Sequence, residues 1–96
     1  MSAITDDDVL ALAPRVRVRW DEARAAWLAL VPEGVVVLND SAAEVIRACD
    51  GARTVGAVIE LLSAEHPEAP REALSDDVRS VLERMLSRRL VTRRTS

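Results

Sequence analysis

The sequence predicts one α+β domain with a winged helix-turn-helix-like architecture, in which a three-stranded antiparallel sheet is followed by three helices. Residues 15–38 carry three short runs typical of strands, whereas residues 41–86 carry apolar side chains at three- and four-residue spacing. The links between the helical segments are short, which favours helices packed as neighbours. Since 49% of the 96 residues are hydrophobic, we expect one compact core. We therefore predict a single domain over residues 1–96, with residues 1–13 as a candidate flexible segment.

The N-terminal half contains the predicted sheet. Residues 5–12 place three aspartates before apolar side chains, a pattern that suits one short helical turn. Residues 15–20 alternate arginine with an apolar residue, which is the period of a strand with one exposed face. Residues 26–31 and 35–38 are apolar runs separated by a Pro-Glu-Gly turn at residues 32–34. This order predicts a three-stranded antiparallel meander.

The register of the meander decides which side chains share a face. If Trp20 pairs with Trp27, the larger apolar side chains lie together on one face of the sheet. That face then comprises Val16, Val18, Trp20, Trp27, Ala29, Val31, Val36 and Leu38, and the opposite face comprises Leu28, Leu30, Val35 and Val37. A one-residue slip would exchange the two sets, because side chains alternate along a strand.

Capping signals divide the C-terminal half into helices. Ser41 followed by Glu44 matches a capping box that opens the first helix, and Gly51 can end it in the left-handed conformation. Thr54 is the cap predicted for the second helix, which Pro67 prevents from continuing. The third predicted helix is the longest. Its apolar stripe consists of Leu74, Val78, Val81, Leu82 and Met85.

Charge and composition argue against several function classes. The formal net charge is −3, so the overall field repels nucleic acid unless a basic face is segregated. The single cysteine, Cys49, lies on an apolar helical stripe, which favours burial over a reactive thiol and fits a reducing cytoplasm. No apolar stretch approaches the length of a membrane span, so we expect no membrane association.

No catalytic, cofactor-binding or metal site is expected. His66 has no second histidine or nearby cysteine to share a metal, and the aspartates at 6–8 lack the spacing of a calcium loop. Asp76 and Asp77 are neighbours on a predicted helix and point about 100° apart, which does not suit a pair of catalytic carboxylates. We therefore predict that the chain is not an enzyme.

Several ordered blocks resemble the PqqD family. They are residues 32–39 (PEGVVVLN), residues 41–46 (SAAEVI) and residues 49–55 (CDGARTV). The likeness extends over nearly the whole chain from Pro14, through Pro14, Val16, Trp20 and Trp27 upstream and Asp77, Val78, Leu82 and Leu86 downstream. Residues 88–91 depart from the family pattern, which often has a glycine near this point.

The resemblance implies a RiPP recognition element, a non-catalytic domain that binds the leader of a ribosomally made precursor peptide. By this likeness the ligand is a peptide similar to PqqA. The complex would deliver it to a radical S-adenosylmethionine (SAM) enzyme similar to PqqE in the biosynthesis of pyrroloquinoline quinone (PQQ). Cofactor chemistry would then belong to that enzyme. The resemblance also places the peptide in a groove between the last strand of the meander and the third helix.

The residues themselves favour such a docking mode. As the last strand of a meander, residues 35–38 would form a sheet edge whose unpaired backbone groups can template an added strand. The candidate peptide-binding residues are Val35, Val36, Val37, Leu38 and Asn39 on the strand and Val78, Val81, Leu82 and Met85 on the helix. For the helix residues, packing in the core is the competing interpretation, because apolar periodicity mainly reports burial.

Two other function classes remain open. A basic surface for DNA could form from Arg15, Arg17, Arg19, Arg88, Arg89, Arg93 and Arg94. Acidic residues Glu72, Asp76 and Asp77 oppose entry of the third helix into a DNA groove, and the same arginines also suit an acidic peptide or enzyme surface. Alternatively, a second copy or a larger complex could cover the apolar face of the sheet, which would make the chain a homodimer or a structural subunit.

Overall fold

The computed structural model describes residues 4–94. In chain order they form β1 (Val9–Leu12), β2 (Arg17–Asp21), β3 (Ala26–Val31), β4 (Gly34–Leu38), α1 (Asp40–Ala48), β5 (Asp50–Thr54), α2 (Val55–Glu65), α3 (Arg71–Ser87) and β6 (Val91–Arg93). The fold is α+β, with two three-stranded antiparallel sheets and three helices. The meander and the three helices are confirmed. The prediction of one sheet placed wholly before the helices is wrong, because β5 lies between α1 and α2 and β6 follows α3.

The predicted pairing of Trp20 with Trp27 and the predicted faces of the meander are confirmed. Its strand order is β2-β3-β4, and Trp20 lies opposite Trp27. Val36 pairs with Ala29 and Leu38 with Trp27, so the larger apolar side chains share a face as expected. Ala29 and Leu38 belong to the main buried core, which shows that this face packs against the helices.

The opposite face of the meander points away from the main core. Val35 and Val37 are 54% and 58% exposed on it. Leu28 is buried on this face but lies outside the main core cluster. Arg19 and Val37 stand directly opposite Leu28 on the neighbouring strands, so the arginine stem and the valine can cover it.

The second sheet has the order β5-β1-β6. The sequence of residues 5–12 predicts a helical turn, and this prediction is wrong because residues 9–12 form the central strand β1. Leu10 on β1 and Val91 on β6 are both buried. The three strands are short, and pairing with partners from distant parts of the chain overrides the local helical signal. Gly51 has the expected left-handed φ of 80°, but it lies within β5.

The first two helices begin at side-chain caps. Asn39 caps α1, because its Oδ1 accepts a hydrogen bond from the backbone N–H of Ala42 at 2.7 Å. The predicted capping box at Ser41 is therefore wrong, since Ser41 already lies inside the helix. Thr54 caps α2 as predicted, with its Oγ1 accepting from the backbone N–H of Ala57 at 3.1 Å.

The C-terminus of α3 is a Schellman motif. The backbone N–H of Leu90 donates to the carbonyl of Met85 at 2.9 Å, and that of Arg89 donates to the carbonyl of Leu86 at 3.0 Å. Arg89 has a φ of 61°, in the left-handed region that favours glycine. An arginine thus occupies a glycine-type position, at a conformational cost of about 1–2 kcal/mol.

Helix α3 organises the core. It packs against both α1 and α2, and Val78, Val81, Leu82 and Met85 bury its apolar stripe. The chain continues from its end into β6, which ties the helix to the second sheet. Within residues 4–94, no helix combines the length and the apolar character needed to cross a membrane. The C-terminal half of α3 lies beside β4, and this arrangement creates the site described next.

Candidate peptide-binding groove

Strand β4 is an edge of the meander, since the strand order is β2-β3-β4. The loop at residues 32–33 has two residues, which makes Val31 and Gly34 the first hydrogen-bonded pair of the β3–β4 hairpin. Hydrogen-bonded and non-hydrogen-bonded pairs alternate along an antiparallel ladder. The backbone groups of Val36 and Leu38 therefore bond to β3.

Val35 and Val37 occupy the alternate positions of β4. Their backbone N–H and C=O groups consequently point away from β3. No further strand in the described part of the chain pairs with β4. The two residues offer two donors and two acceptors, repeated at roughly 6.6 Å along the strand. This pattern is the template that an extended peptide needs to join a sheet.

The other edge of the meander is less suited to this role. Strand β2 carries Arg17, Arg19 and Asp21 at alternate positions, and charged side chains on an edge discourage pairing with another strand. Strand β4 contains only glycine, valine and leucine. The chemical contrast between the two edges favours β4 as the docking edge.

A groove of about 360 Å³ lies between β4 and α3. Six of the nine candidate residues line it, namely Val36, Val37, Leu38, Asn39, Val81 and Met85. Val35 lies outside the groove on the exposed sheet face, and Val78 and Leu82 are buried in the core. Val81 and Met85 are only 6% and 4% exposed, so they form the floor of the groove and also belong to the core.

Asn39 joins the groove to α1. Its side-chain oxygen is occupied as the cap of α1, which fixes the point where β4 ends. Its backbone carbonyl accepts the N–H of Ala43 at 2.9 Å. The side-chain amide nitrogen of Asn39 is therefore the group suited to contact a ligand.

Three groove residues were not predicted from the sequence: Ala42, Arg84 and Leu90. Arg88 was predicted as part of a basic surface for DNA or an acidic partner, but not as a residue of this groove. Arg84 and Arg88 follow Val81 and Met85 by three residues each, so helical spacing could have placed them beside the apolar stripe. Ala42 and Leu90 come from α1 and from the segment after α3, and no local pattern connects either residue with β4.

Cys49 lies in the core and not in the groove. Its burial is confirmed, and its Sγ donates a weak hydrogen bond to the carbonyl of Val45 at 3.3 Å. Burial, with a smaller effect of the neighbouring Asp50 carboxylate, raises the pKa of the thiol to about 11. A thiol in this state is a packing group and a poor nucleophile.

His66 is also outside the groove, at the end of α2. Its Nε2 meets both carboxylate oxygens of Glu44 at 3.0 and 2.9 Å, which joins the end of α2 to α1. The hydrogen bond that the His66 ring donates to Glu44 and the charge of that carboxylate raise the pKa of His66, with smaller contributions from the charges of Glu68 and Glu65. The arrangement is that of a surface ion pair between two helices.

An open sheet edge beside a groove is the arrangement used by peptide-binding domains of the strand-addition class. The particular family follows from comparison with known proteins. Residues 26–91 match the family model described as "Coenzyme PQQ synthesis protein D (PqqD)". The chain belongs to the PqqD family.

Relatives and a solved structure agree with this assignment. A protein of Stutzerimonas stutzeri described as "PqqA binding protein" is 40% identical over 83 residues, which cover 86% of this chain and 88% of the relative. A Methylococcus capsulatus protein with the same description is 31% identical over 85 residues, 88% of each chain. The solution NMR structure of the PqqD part of Methylobacterium extorquens PqqCD superposes with a TM-score of 0.79 at 30% identity, covering 95% of this chain and 96% of that one.

The Methylobacterium domain is described as a functional and stand-alone RiPP recognition element. The resemblance identified from the sequence is therefore confirmed at the level of family and fold. The chain is a binding domain of this kind and not a catalyst, as expected from its residues.

Proposed function

We propose that this chain binds a PqqA-like precursor peptide on the open edge of β4 and presents it to a PqqE-like radical SAM enzyme in PQQ biosynthesis. Family membership and the relatives described as PqqA binding proteins support the choice of ligand. One structural observation carries the docking mode: Val35 and Val37 direct unpaired backbone groups outward beside the groove.

The proposed mechanism is strand addition. A peptide segment lies along β4, exchanges backbone hydrogen bonds with Val35 and Val37, and turns every second side chain into the groove. Val81 and Met85 provide an apolar floor there, and the polarizable thioether of Met85 can adapt to different side chains. The set proposed for contact is Val35, Val36, Val37, Leu38, Asn39, Val81 and Met85, with Val78 and Leu82 supporting the floor from beneath.

The proposed affinity is moderate. Ordering a flexible peptide costs roughly 2–5 kcal/mol of the gross contact energy. A free energy of binding of about −8 kcal/mol, hence a micromolar dissociation constant, remains after this cost. Reversible binding suits a protein that passes its peptide to an enzyme. The chain itself contributes no cofactor chemistry in this scheme.

Other partners fit less well. Glu72, Asp76 and Asp77 are exposed along the first half of α3, where a winged-helix protein would approach DNA phosphates. We therefore exclude nucleic acid from the proposal. The proposal also places the protein in the cytoplasm and assigns it no membrane partner. A homodimer contact would form on the exposed sheet face that bears Val35 and Val37. Sedimentation over a range of concentrations measures whether the protein dimerises.

Isothermal titration tests the proposal. The titrant is the precursor peptide encoded in the same gene neighbourhood, and the titration is repeated with the radical SAM enzyme present. We expect one-to-one binding in the micromolar range and a ternary complex with the enzyme. A duplex DNA of the same molar concentration should produce no saturable signal. Absence of peptide binding by the folded protein would overturn the proposal.

A further inference from the structure

We infer that the groove selects a strand with acidic side chains: the bound peptide places carboxylates at two alternate positions against Arg84 and Arg88. This inference deepens the proposed function and rests on it. The two arginines line the same groove as β4 and lie four residues apart, Arg84 in the last turn of α3 and Arg88 at its C-cap. Both are exposed.

The two guanidinium groups lack partners of their own. Within residues 4–94, neither side chain forms an ion pair or a hydrogen bond, in contrast to several other arginines. Those paired arginines are Arg24 with Asp21, Arg53 with Asp50, Arg71 with Glu60 and Arg79 with Asp6. No aspartate or glutamate lines the groove. The groove therefore presents two uncompensated positive charges to whatever binds there.

The spacing of the arginines matches a strand. Four residues along a helix advance about 6 Å, and positions i and i+2 of a strand lie about 6.6 Å apart on one face. Val81 also borders a cavity that includes Ser41, two residues after Asn39, whereas Arg88 borders the cavity that includes residues 32–33 of the hairpin loop. The two arginines are thus arrayed along the direction of β4. A peptide with acidic residues at i and i+2 can pair with both.

Guanidinium chemistry suits this pairing. A guanidinium pairs with a carboxylate through two parallel hydrogen bonds, and the apolar side chains of Val81, Met85 and Leu90 lie in the same groove. Glu33 borders the adjoining cavity together with Arg88, so it is an internal competitor for this arginine. The protein as a whole carries a net charge of −3 and repels an acidic peptide. Local attraction at the groove then determines where such a peptide docks.

The test uses single and double glutamine variants. Arg84→Gln and Arg88→Gln keep the side-chain stems and remove the charge. Arg17→Gln is the matched control, because it removes the same charge from β2, the edge remote from β4. Each protein is titrated with the precursor peptide and with peptides in which each Asp or Glu is replaced singly by Asn or Gln.

We expect each groove variant to bind the unmodified precursor about 5- to 30-fold more weakly, with Arg17→Gln close to the wild type. Each arginine should couple to one carboxylate of the peptide. Replacing that carboxylate should weaken binding to the wild type, but not to the variant that lacks the coupled arginine. Added salt should reduce the affinity of the wild type more than that of the double variant.

Other results separate this inference from the proposed function. If both groove variants bind the precursor as the wild type does, while a disrupted β4 edge abolishes binding, charge selection is wrong and strand addition stands. If Arg17→Gln weakens binding as much as the groove variants, the effect belongs to the overall charge and the inference is overturned. If the wild type binds no precursor, the proposed function fails and the inference fails with it.

Discussion

Substituting Val37 with proline removes one outward backbone donor from β4. The hydrogen bonds from β4 to β3 remain, because they come from Gly34, Val36 and Leu38. Proline is tolerated on an edge strand where the missing N–H faces outward. The side chain of Val37 is 58% exposed, so its replacement sacrifices little buried area. Val37→Pro should therefore fold.

The expected loss of affinity follows from the ladder geometry. The missing N–H removes one hydrogen bond worth about 0.5–1.5 kcal/mol net. The pyrrolidine ring also occupies the space that the peptide backbone needs in order to reach the carbonyl of Val37. Together these effects should cost about 1–3 kcal/mol, which is roughly a 5- to 150-fold increase in the dissociation constant.

Isothermal titration with the precursor peptide measures this loss, and circular dichroism confirms the fold of the variant. Val37→Thr is the matched control, since threonine keeps both the N–H and the β-branched shape. Val36→Pro is not a valid test of the edge, because the N–H of Val36 faces β3 and its loss damages the sheet. A folded Val37→Pro with wild-type affinity would refute strand addition on β4.

Three further predictions concern stability and reactivity. Arg89→Gly should raise the free energy of unfolding by about 1 kcal/mol and the Tm by about 4–8 °C, because glycine adopts a φ of 61° without strain. The pKa of His66 is raised by Glu44, so the stability from this pair is complete below the unfolded-state value near 6.5 and is lost as pH rises through the raised folded-state value. In denaturant titrations across that range, His66→Gln should remove this pH dependence. Cys49, with its pKa raised to about 11, should react with a thiol reagent only when the protein unfolds.

Each of these predictions has a clear contrary outcome. A lower Tm for Arg89→Gly would mean that the arginine side chain contributes more than its backbone strain costs. The same pH dependence in wild type and His66→Gln would show that another group titrates in that range. Rapid labelling of Cys49 in the native protein would show that the core opens locally around α1.

The meander was predictable because its signals are local. Residues 15–20 alternate with period two, and a two-residue loop joins β3 to β4, so pattern and turn chemistry define both strands and register. The second sheet has no such signal. β1 pairs with β5 across the meander and α1 and with β6 across most of the chain, and its four residues do not alternate in burial. Pairing between distant segments therefore determines where these strands form, and sequence periodicity does not reveal such pairing.

The two walls of the groove also differ in predictability. The exposed edge follows from the position of β4 at the end of the meander, so its residues could be proposed from strand order alone. On α3, the same three- and four-residue spacing describes residues of the core and residues of the groove. For this reason Val78 and Leu82 were included among the candidate peptide-binding residues, although both are buried. Arg84 was missed, and Arg88 was assigned to a general basic surface and not to the groove, because charged residues beside an apolar stripe are usually solvated.

The most direct measurement of strand addition is residue-specific amide hydrogen exchange in the free and the peptide-saturated protein. In the free protein, the amides of Val35 and Val37 should exchange rapidly, whereas those of Val36 and Leu38 should be protected by their bonds to β3. Saturation with the precursor peptide should slow exchange strongly at Val35 and Val37. Rapid exchange that persists at both residues in the saturated protein would contradict docking of the peptide on this edge.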